Sequence, residues 1–186
     1  DLPSRGWNSS QGCAVADAVT KRLSWYWPME AGNALLLPAF AVGFVVSAGG
    51  TIDAVFVSAV VACALLLVIG ALYWRAVLMR LRGKPRVLAF WLPHLAGAEM
   101  ASLALCVAAI FAVIFGVVTS GWTPQNIASA VLSGLALLEY VNYYQIQLQH
   151  FDNGADMKRL LSGRGFRRAH MAREIAAWRA RAKLAT

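Results

Sequence analysis

The chain has 186 residues, of which 59% are apolar and only 14% are charged, and it carries a net charge of +8. A soluble domain usually has about a quarter charged residues, so this composition argues against an ordinary water-soluble domain and favours a membrane protein. The basic residues flank apolar stretches and do not share a polar face with aromatic residues. They therefore fit anionic lipid headgroups as a partner and argue against nucleic acid.

A mixed segment precedes the first apolar stretch. We expect residues 1–30 to form a cytoplasmic or interfacial segment, with a short amphipathic helix at 14–24. Residues 31–149 then form an all-α transmembrane domain, because a crossing needs about 20 apolar residues. The four predicted spans are 33–49, 52–74, 87–118 and 126–147. Since the connections are short, consecutive helices should be antiparallel neighbours in a four-helix bundle.

The distribution of Lys and Arg predicts the orientation of these spans. Of the 17 basic residues, three precede the first span, five lie between the second and third, and nine follow the fourth. None is left for the two opposite loops. Because Lys and Arg are enriched on the cytoplasmic side, we expect both termini in the cytoplasm and the chain in a bacterial inner membrane.

A basic tail, 150–186, follows the fourth span. From Phe166 onward, apolar residues recur at near-helical spacing among arginines, which predicts an amphipathic cytoplasmic helix. Such a helix lies on an anionic membrane or docks on a partner. The expected contact residues are Arg164, Arg167, Arg168, Arg173 and Trp178.

Three ionisable residues lie within the predicted spans: His94, Glu99 and Glu139. Such residues are functional candidates, because a charge inside a bilayer is costly. At 1.5 Å per residue, Glu99 and Glu139 lie about 16 Å and about 12 Å from the cytoplasmic ends of their spans, so the two carboxyl groups can meet. This pattern indicates a proton or cation site, with Asn142 and Tyr143 as hydrogen-bond donors. The alternative is a structural contact that holds helices together.

His94 follows Pro93 and precedes the small residues Gly97 and Ala98, which leave room for a macrocycle. A haem or chlorophyll-type pigment ligated by His94 is therefore an alternative interpretation. It is disfavoured because His94 is the only histidine in a span and His150 lies too near the interface to pair with it. No cofactor is predicted.

The end of the fourth span, 138–150, is rich in tyrosine, glutamine and asparagine. It binds a lipid headgroup, a quinone or a protein partner, or it merely passes through the headgroup layer, where tyrosine is common.

No motif for catalysis or metal binding occurs in the sequence. Cys13, Cys63 and Cys106 form no CxxC pair, which argues against a zinc site or a disulfide framework. There is also no GxSxG, no HExxH and no phosphate-binding glycine loop with lysine. No catalytic residue and no metal are predicted.

Small residues recur every four positions in three of the spans, which permits another helix to approach closely. They are Ala39, Gly43 and Ser47, then Ala104, Ala108, Ala112 and Gly116, then Ala130 and Gly134. We therefore expect a non-catalytic accessory or scaffolding subunit of a larger inner-membrane complex, in contact with other membrane subunits. The alternatives are a small proton-linked transporter or channel that uses Glu99 and Glu139, and a membrane enzyme or binder for a lipid-like or quinone substrate.

Overall fold

The computed structural model describes residues 9–148 and 167–184, which form five α-helices. They are α1 (Ser9–Ser47), α2 (Ala54–Leu81), α3 (Pro85–Ser120), α4 (Pro124–Tyr144) and α5 (His170–Leu184). Within this part of the chain the remaining backbone forms turns, loops and one isolated antiparallel bridge, between Ile146 and Arg168. The all-helical fold class is confirmed.

Three of these helices are long and apolar enough to cross a membrane: the 17–47 part of α1, all of α2 and all of α3. This supports the expectation of a membrane protein. α4 has 21 residues, about 30 Å at 1.5 Å per residue, but it is more polar and does not belong to that group. The fourth span and the orientation of the chain therefore stay predictions.

α1 differs most from its prediction. Residues 9–30 of the segment expected at 1–30 and most of the span expected at 33–49 are joined here in one continuous helix, which contains Pro28 and Pro38. Residues 1–8 lie outside the described residues. A proline inside a helix removes a backbone hydrogen bond, so packing must hold the helix together. Tyr26 packs edge-to-face on Trp74 of α2 with ring centroids 5.7 Å apart. This contact, close to Pro28, keeps α1 along α2 well before residue 33.

Short turns with their own start and stop signals separate the next helices. The Asp53 carboxylate accepts a hydrogen bond from the Phe56 amide (2.8 Å) and so caps the start of α2. Pro85 and Pro124 begin α3 and α4, where a missing amide proton costs nothing. The turn between α2 and α3 contains Gly83 with φ +78°, a value that glycine adopts without strain.

α2 is the innermost helix and packs against α1, α3 and α4. Half of its most apolar stretch is buried inside the protein, against 28% for α3 and 17% for α1. The core along α2 includes Phe56, Leu66 and Tyr73, each at most 1% exposed. A side chain on the inner face of α2 therefore meets residues from several other helices.

α5 folds back onto the other helices and packs on α3 and α4. Its apolar face buries Met171, Ala172 and Ile175. The chain before it is tied to the chain after α4, because the Ala169 amide donates to the Gln145 carbonyl (3.1 Å). The amphipathic helix predicted for the tail thus docks on its own chain. The sequence had predicted that its apolar face contacts a membrane surface or a partner.

Candidate functional site

Among the Asp, Glu, Lys, Arg and His side chains that the structure describes, that of Glu30, in the middle of α1, is the most buried, at only 4% exposed. The Tyr143 hydroxyl of α4 donates a hydrogen bond to its Oε2 atom over 2.5 Å. Tyr26, one turn earlier on α1, also interacts with the Glu30 carboxyl group. Since buried polar groups are costly unless they are paired, Glu30 is held by contacts that only the folded helices provide.

Glu139 lies one turn before Tyr143 on α4 and interacts with the same tyrosine. Its Oε2 atom is buried, and no donor in the described part of the chain reaches it. A phenol hydroxyl can donate only one hydrogen bond, and the Tyr143 hydroxyl donates it to Glu30. Two carboxyl groups thus share the surroundings of one tyrosine. We refer to Glu30, Tyr143 and Glu139 as the carboxylate cluster.

Gly70 of α2 provides the space for this cluster. A Cβ atom placed on Gly70 would overlap the Tyr143 hydroxyl and would lie 2.8 Å from Glu30 Oε2. Any larger residue would therefore push Tyr143 and Glu30 apart. The cluster is thus built by three helices: α1 and α4 supply the polar groups, and α2 supplies the gap between them.

The cluster lies far from one end of the helices. The Thr51 amide donates to Gln125 Oε1 (3.5 Å), so the end of α1 and the start of α4 lie at the same end of the protein. From that end Glu30 is 17 residues along α1 and Glu139 is 15 residues along α4, which is about 26 Å and about 22 Å. Glu139 therefore lies near the opposite end of α4, which ends at Tyr144.

That opposite end carries the turn between α2 and α3 and the start of α3, where Arg82, Lys84 and Arg86 are exposed. We call it the basic end of the protein. These exposed basic residues therefore lie at the end of the protein that is nearer to Glu139.

The arrangement can hold a proton or a cation. Two neighbouring carboxyl groups in an apolar interior do not both ionise unless a cation or a further donor is present, because their charges repel. Residues 9–148 and 167–184 contain no group of three or more His, Cys, Asp or Glu side chains placed to hold a metal ion. One proton shared within the cluster is the simplest occupancy that this chemistry allows.

Glu99, the partner expected for Glu139, has a different partner in the structure. Its Oε2 atom accepts from Arg179 of α5 over 2.9 Å, and the same guanidinium reaches the Ala96 carbonyl at 3.3 Å. The Arg179 side chain is half exposed. Glu99 therefore belongs to a surface contact between α3 and α5, and the carboxyl group that accompanies Glu139 comes from Glu30.

His94 lies on the exposed side of α3. Its ring packs beside those of Phe90 and Trp91, and its Nδ1 atom lies 3.0 Å from the Phe90 carbonyl oxygen. A macrocycle bound to His94 would therefore sit on the outer surface of α3 and not between helices.

Asn142 and the two tyrosines that follow it hold the end of α4. Asn142 Oδ1 accepts from the Leu148 amide (2.9 Å), and the Tyr144 hydroxyl donates to the Leu95 carbonyl (3.0 Å). Asn142, predicted as part of the functional polar group, thus anchors the chain that leads away from the cluster.

The residues predicted for membrane or partner contact are divided between surface and core. Arg167, Arg168 and Arg173 are exposed, whereas Trp178 is partly buried and packs against the core. Arg164 lies outside the described residues.

The sequence interpretation missed Glu30, because the first span was expected to begin at residue 33. A signal for it exists in the helical spacing. Leu23, Ala34 and Val45 are buried, and Glu30 follows Leu23 by seven residues, two full turns. A lone acidic residue on a buried helical stripe is a candidate for an intramembrane site.

Comparison with known proteins does not identify the chain. No protein-family model, curated protein or solved structure matches it significantly.

Proposed function

We propose that the chain is a four-span protein of the bacterial inner membrane, with both termini in the cytoplasm, and that its carboxylate cluster binds and releases a proton as part of a proton-linked transporter or channel. The observation that carries this proposal is the hydrogen bond between Tyr143 and the buried Glu30, with Glu139 beside it. In this proposal Glu30 takes the place expected for Glu99.

The four-span topology is favoured by the distribution of charge over the turns. Residues 48–53 and 121–123 contain no Lys or Arg, whereas the basic end has three exposed basic residues, Arg82 and Lys84 in the turn and Arg86 at the start of α3. By the positive-inside rule the basic end is cytoplasmic. The carboxylate cluster then lies in the cytoplasmic half of the membrane.

A proton is the favoured ligand because of the chemistry of the cluster. A buried carboxyl group that is paired only with a phenol and another carboxyl group changes its proton occupancy when either neighbour moves. Chains of such groups in membrane helices are typical of proton relays. Helix movement that separates Tyr143 from Glu30 would therefore change proton affinity and so couple proton uptake to conformation.

The test is proton flux in liposomes that contain the purified chain and a trapped pH-sensitive dye. We expect a pH gradient to drive flux in the wild type, and we expect Glu30→Gln and Glu139→Gln each to reduce it at least about tenfold, as is typical when a group that must exchange protons is lost. Glu99→Gln is the matched control, because Glu99 lies on the α3–α5 surface contact, and it should retain flux. Absence of flux in the wild type, or flux in the cluster variants equal to that of the wild type, would contradict the proposal.

A second candidate function is that of an accessory subunit, and the outer face of α1 favours it. Ala39, Gly43 and Ser47 are exposed there, and a Cβ atom added at Gly43 would meet no heavy atom within 4 Å. A face of small residues permits a helix of another membrane protein to approach closely. The function would then be to hold such a partner in the membrane.

Co-purification in mild detergent followed by mass spectrometry tests this second candidate. We expect one membrane protein to be enriched with the wild type and lost with Gly43→Leu, which fills the outer face of α1. Gly97→Leu is the control, since Gly97 is an exposed helical glycine on α3 that lies outside the small-residue stripes. Equal recovery of the same proteins with all three chains would count against the subunit function.

A further inference from the structure

Three side-chain contacts fasten α5 to the basic end of the protein. The Tyr73 hydroxyl of α2 is hydrogen-bonded to His170 Nδ1 at the start of α5. Arg80 of α2 forms an ion pair with Glu174 over 2.8 Å. The third contact is the Glu99–Arg179 pair near the other end of α5. Two of the three contacts lie within the first five residues of α5, so its start is the better-anchored part.

Among the side chains in these contacts, His170 carries an imidazole, the group whose ordinary pKa lies nearest to neutral pH. It also has access to solvent. A cavity of about 230 Å³ is lined by His170, Arg173, Glu174 and Ala177. The opposite side of the imidazole ring faces α2, with ring centroids 6.0 Å from Tyr73 and 6.1 Å from Trp74. A proton can therefore reach His170 from the cavity while α2 holds the ring.

The charged groups around His170 oppose a positive imidazole. Arg80 from α2 and Arg173 from α5 both face it, and Glu174 is the acidic group that acts in the other direction. Glu174 is already paired with Arg80. Burial, followed by Arg173, lowers the pKa of His170 below its usual value of 6.5, and Glu174 offsets this only in part.

The start of α5 is also connected to the carboxylate cluster. Tyr73 lies one turn beyond Gly70 on α2, and Trp74 packs on Tyr26, which interacts with Glu30. On the other side, the backbone tie between Ala169 and Gln145 begins directly after the end of α4. Movement at the start of α5 therefore reaches both helices that supply the carboxyl groups.

We infer that α5 is a pH-responsive cover over the basic end of the protein, beside the carboxylate cluster. It is docked while His170 is neutral, and protonation of His170 releases it. The part that concerns docking stands by itself, whereas the regulation of proton exchange rests on the proposed function. In the Nε2–H tautomer of the neutral ring, Nδ1 accepts the hydrogen bond from the Tyr73 hydroxyl. The protonated ring has no acceptor nitrogen and places a positive charge beside Arg80 and Arg173.

The direction of the pH effect follows from linkage. Docking lowers the pKa of His170, so released α5 binds the proton more tightly than docked α5 does. The contribution of His170 to docking is therefore fully present above pH 6.5 and is lost as the pH falls toward the lowered pKa. For one proton, the docking equilibrium constant falls by up to about tenfold per pH unit in that window.

Hydrogen–deuterium exchange of the full chain in lipid nanodiscs tests this inference without any transport measurement. Exchange is followed in peptides that cover 170–184 and 138–148 between pH 7.5 and 5.5, and rates are divided by the intrinsic chemical rates. We expect protection of both segments to fall by up to about tenfold at pH 5.5. We also expect this loss to disappear in His170→Gln and to persist in His94→Gln, because His94 lies on the exposed side of α3.

An exposed position gives a second variant that should not disturb folding. Arg173→Gln removes one charge that faces His170, so the pKa of His170 should return toward 6.5 and the loss of protection should become smaller. Arg181→Gln, on the same helix but outside the cavity, should behave like the wild type. Protection of α5 that does not depend on pH, or the same pH dependence in His170→Gln, would overturn the inference. So would release of α5 with residues 138–148 still protected, and each of these results is independent of whether the liposomes conduct protons.

Discussion

Replacing Gly70 with alanine is expected to destabilise the protein by about 1–3 kcal/mol, the usual cost of forcing extra volume into a packed interior. The added Cβ would overlap the Tyr143 hydroxyl and approach Glu30 Oε2 to 2.8 Å. Tyr143 must then move away from Glu30, and the hydrogen bond between α1 and α4 is lost together with the packing. Unfolding in detergent, followed by heating or by titration with a denaturing surfactant, measures the change.

Gly134→Ala on α4 provides the matched control. This glycine is also helical, but a Cβ atom placed there meets no heavy atom within 4 Å. Alanine is the better helix former, so the change should be neutral or should stabilise the protein by up to about 1 kcal/mol. If Gly70→Ala and Gly134→Ala had equal effects, the close contact between α2 and the carboxylate cluster would be contradicted.

The positions of α2, α3 and α4 were predictable because local signals and apolar runs agree. Pro85 and Pro124 mark helix starts, and the predicted starts at 52, 87 and 126 lie within two residues of the observed ones. The extension of α2 beyond residue 74 to Leu81 was not predictable in this way, since that part is basic. It is buried on one side at Ala76, Val77 and Leu78, a contact that depends on the tertiary fold.

The site residues that the sequence did not predict likewise depend on tertiary contacts. Glu139 and Tyr143 were recognised because both lie within the predicted fourth span, so their depth could be counted. Glu30 was missed because two prolines and several aromatic residues disguise the continuation of α1, and only packing against α2 shows that the helix continues. The partner of Glu99 was also beyond local sequence, since Arg179 lies 80 residues away and its approach depends on how α5 docks.

The tail illustrates how a correct periodicity can leave the partner open. The spacing of Ala172 and Ile175 predicted a helix with an apolar face, and both residues are buried. Periodicity indicates that a face must be covered, but it does not indicate by what. Here the cover is formed by α3 and α4, because the tie between Gln145 and Ala169 brings the start of α5 back to the end of α4.

The hydrogen bond at the centre of the cluster gives the second large expected effect. Tyr143→Phe is expected to cost about 1–3 kcal/mol, because it removes the donor that reaches the buried Glu30 and leaves a carboxyl oxygen without its partner. Contacts between membrane helices contribute only about 0.6 kcal/mol on average. An effect above that average would show that Glu30 depends on Tyr143 for burial, whereas an average effect would make this an ordinary interhelical contact.

A double-mutant cycle with Glu30→Leu separates the hydrogen bond from the packing of the tyrosine ring. Leucine at position 30 keeps much of the volume but accepts no hydrogen bond, so Tyr143→Phe should cost little in that background. The coupling energy should then be about 1 kcal/mol or more, measured with the same unfolding assay. Tyr144→Phe is the control, because its hydroxyl donates to the Leu95 carbonyl and not to Glu30, and its cost should be the same with Glu30 or Leu at position 30. Additive effects of Tyr143→Phe and Glu30→Leu would mean that the two residues contribute to stability separately. The cluster would then lack the coupling through which protonation of Glu30 can affect α4.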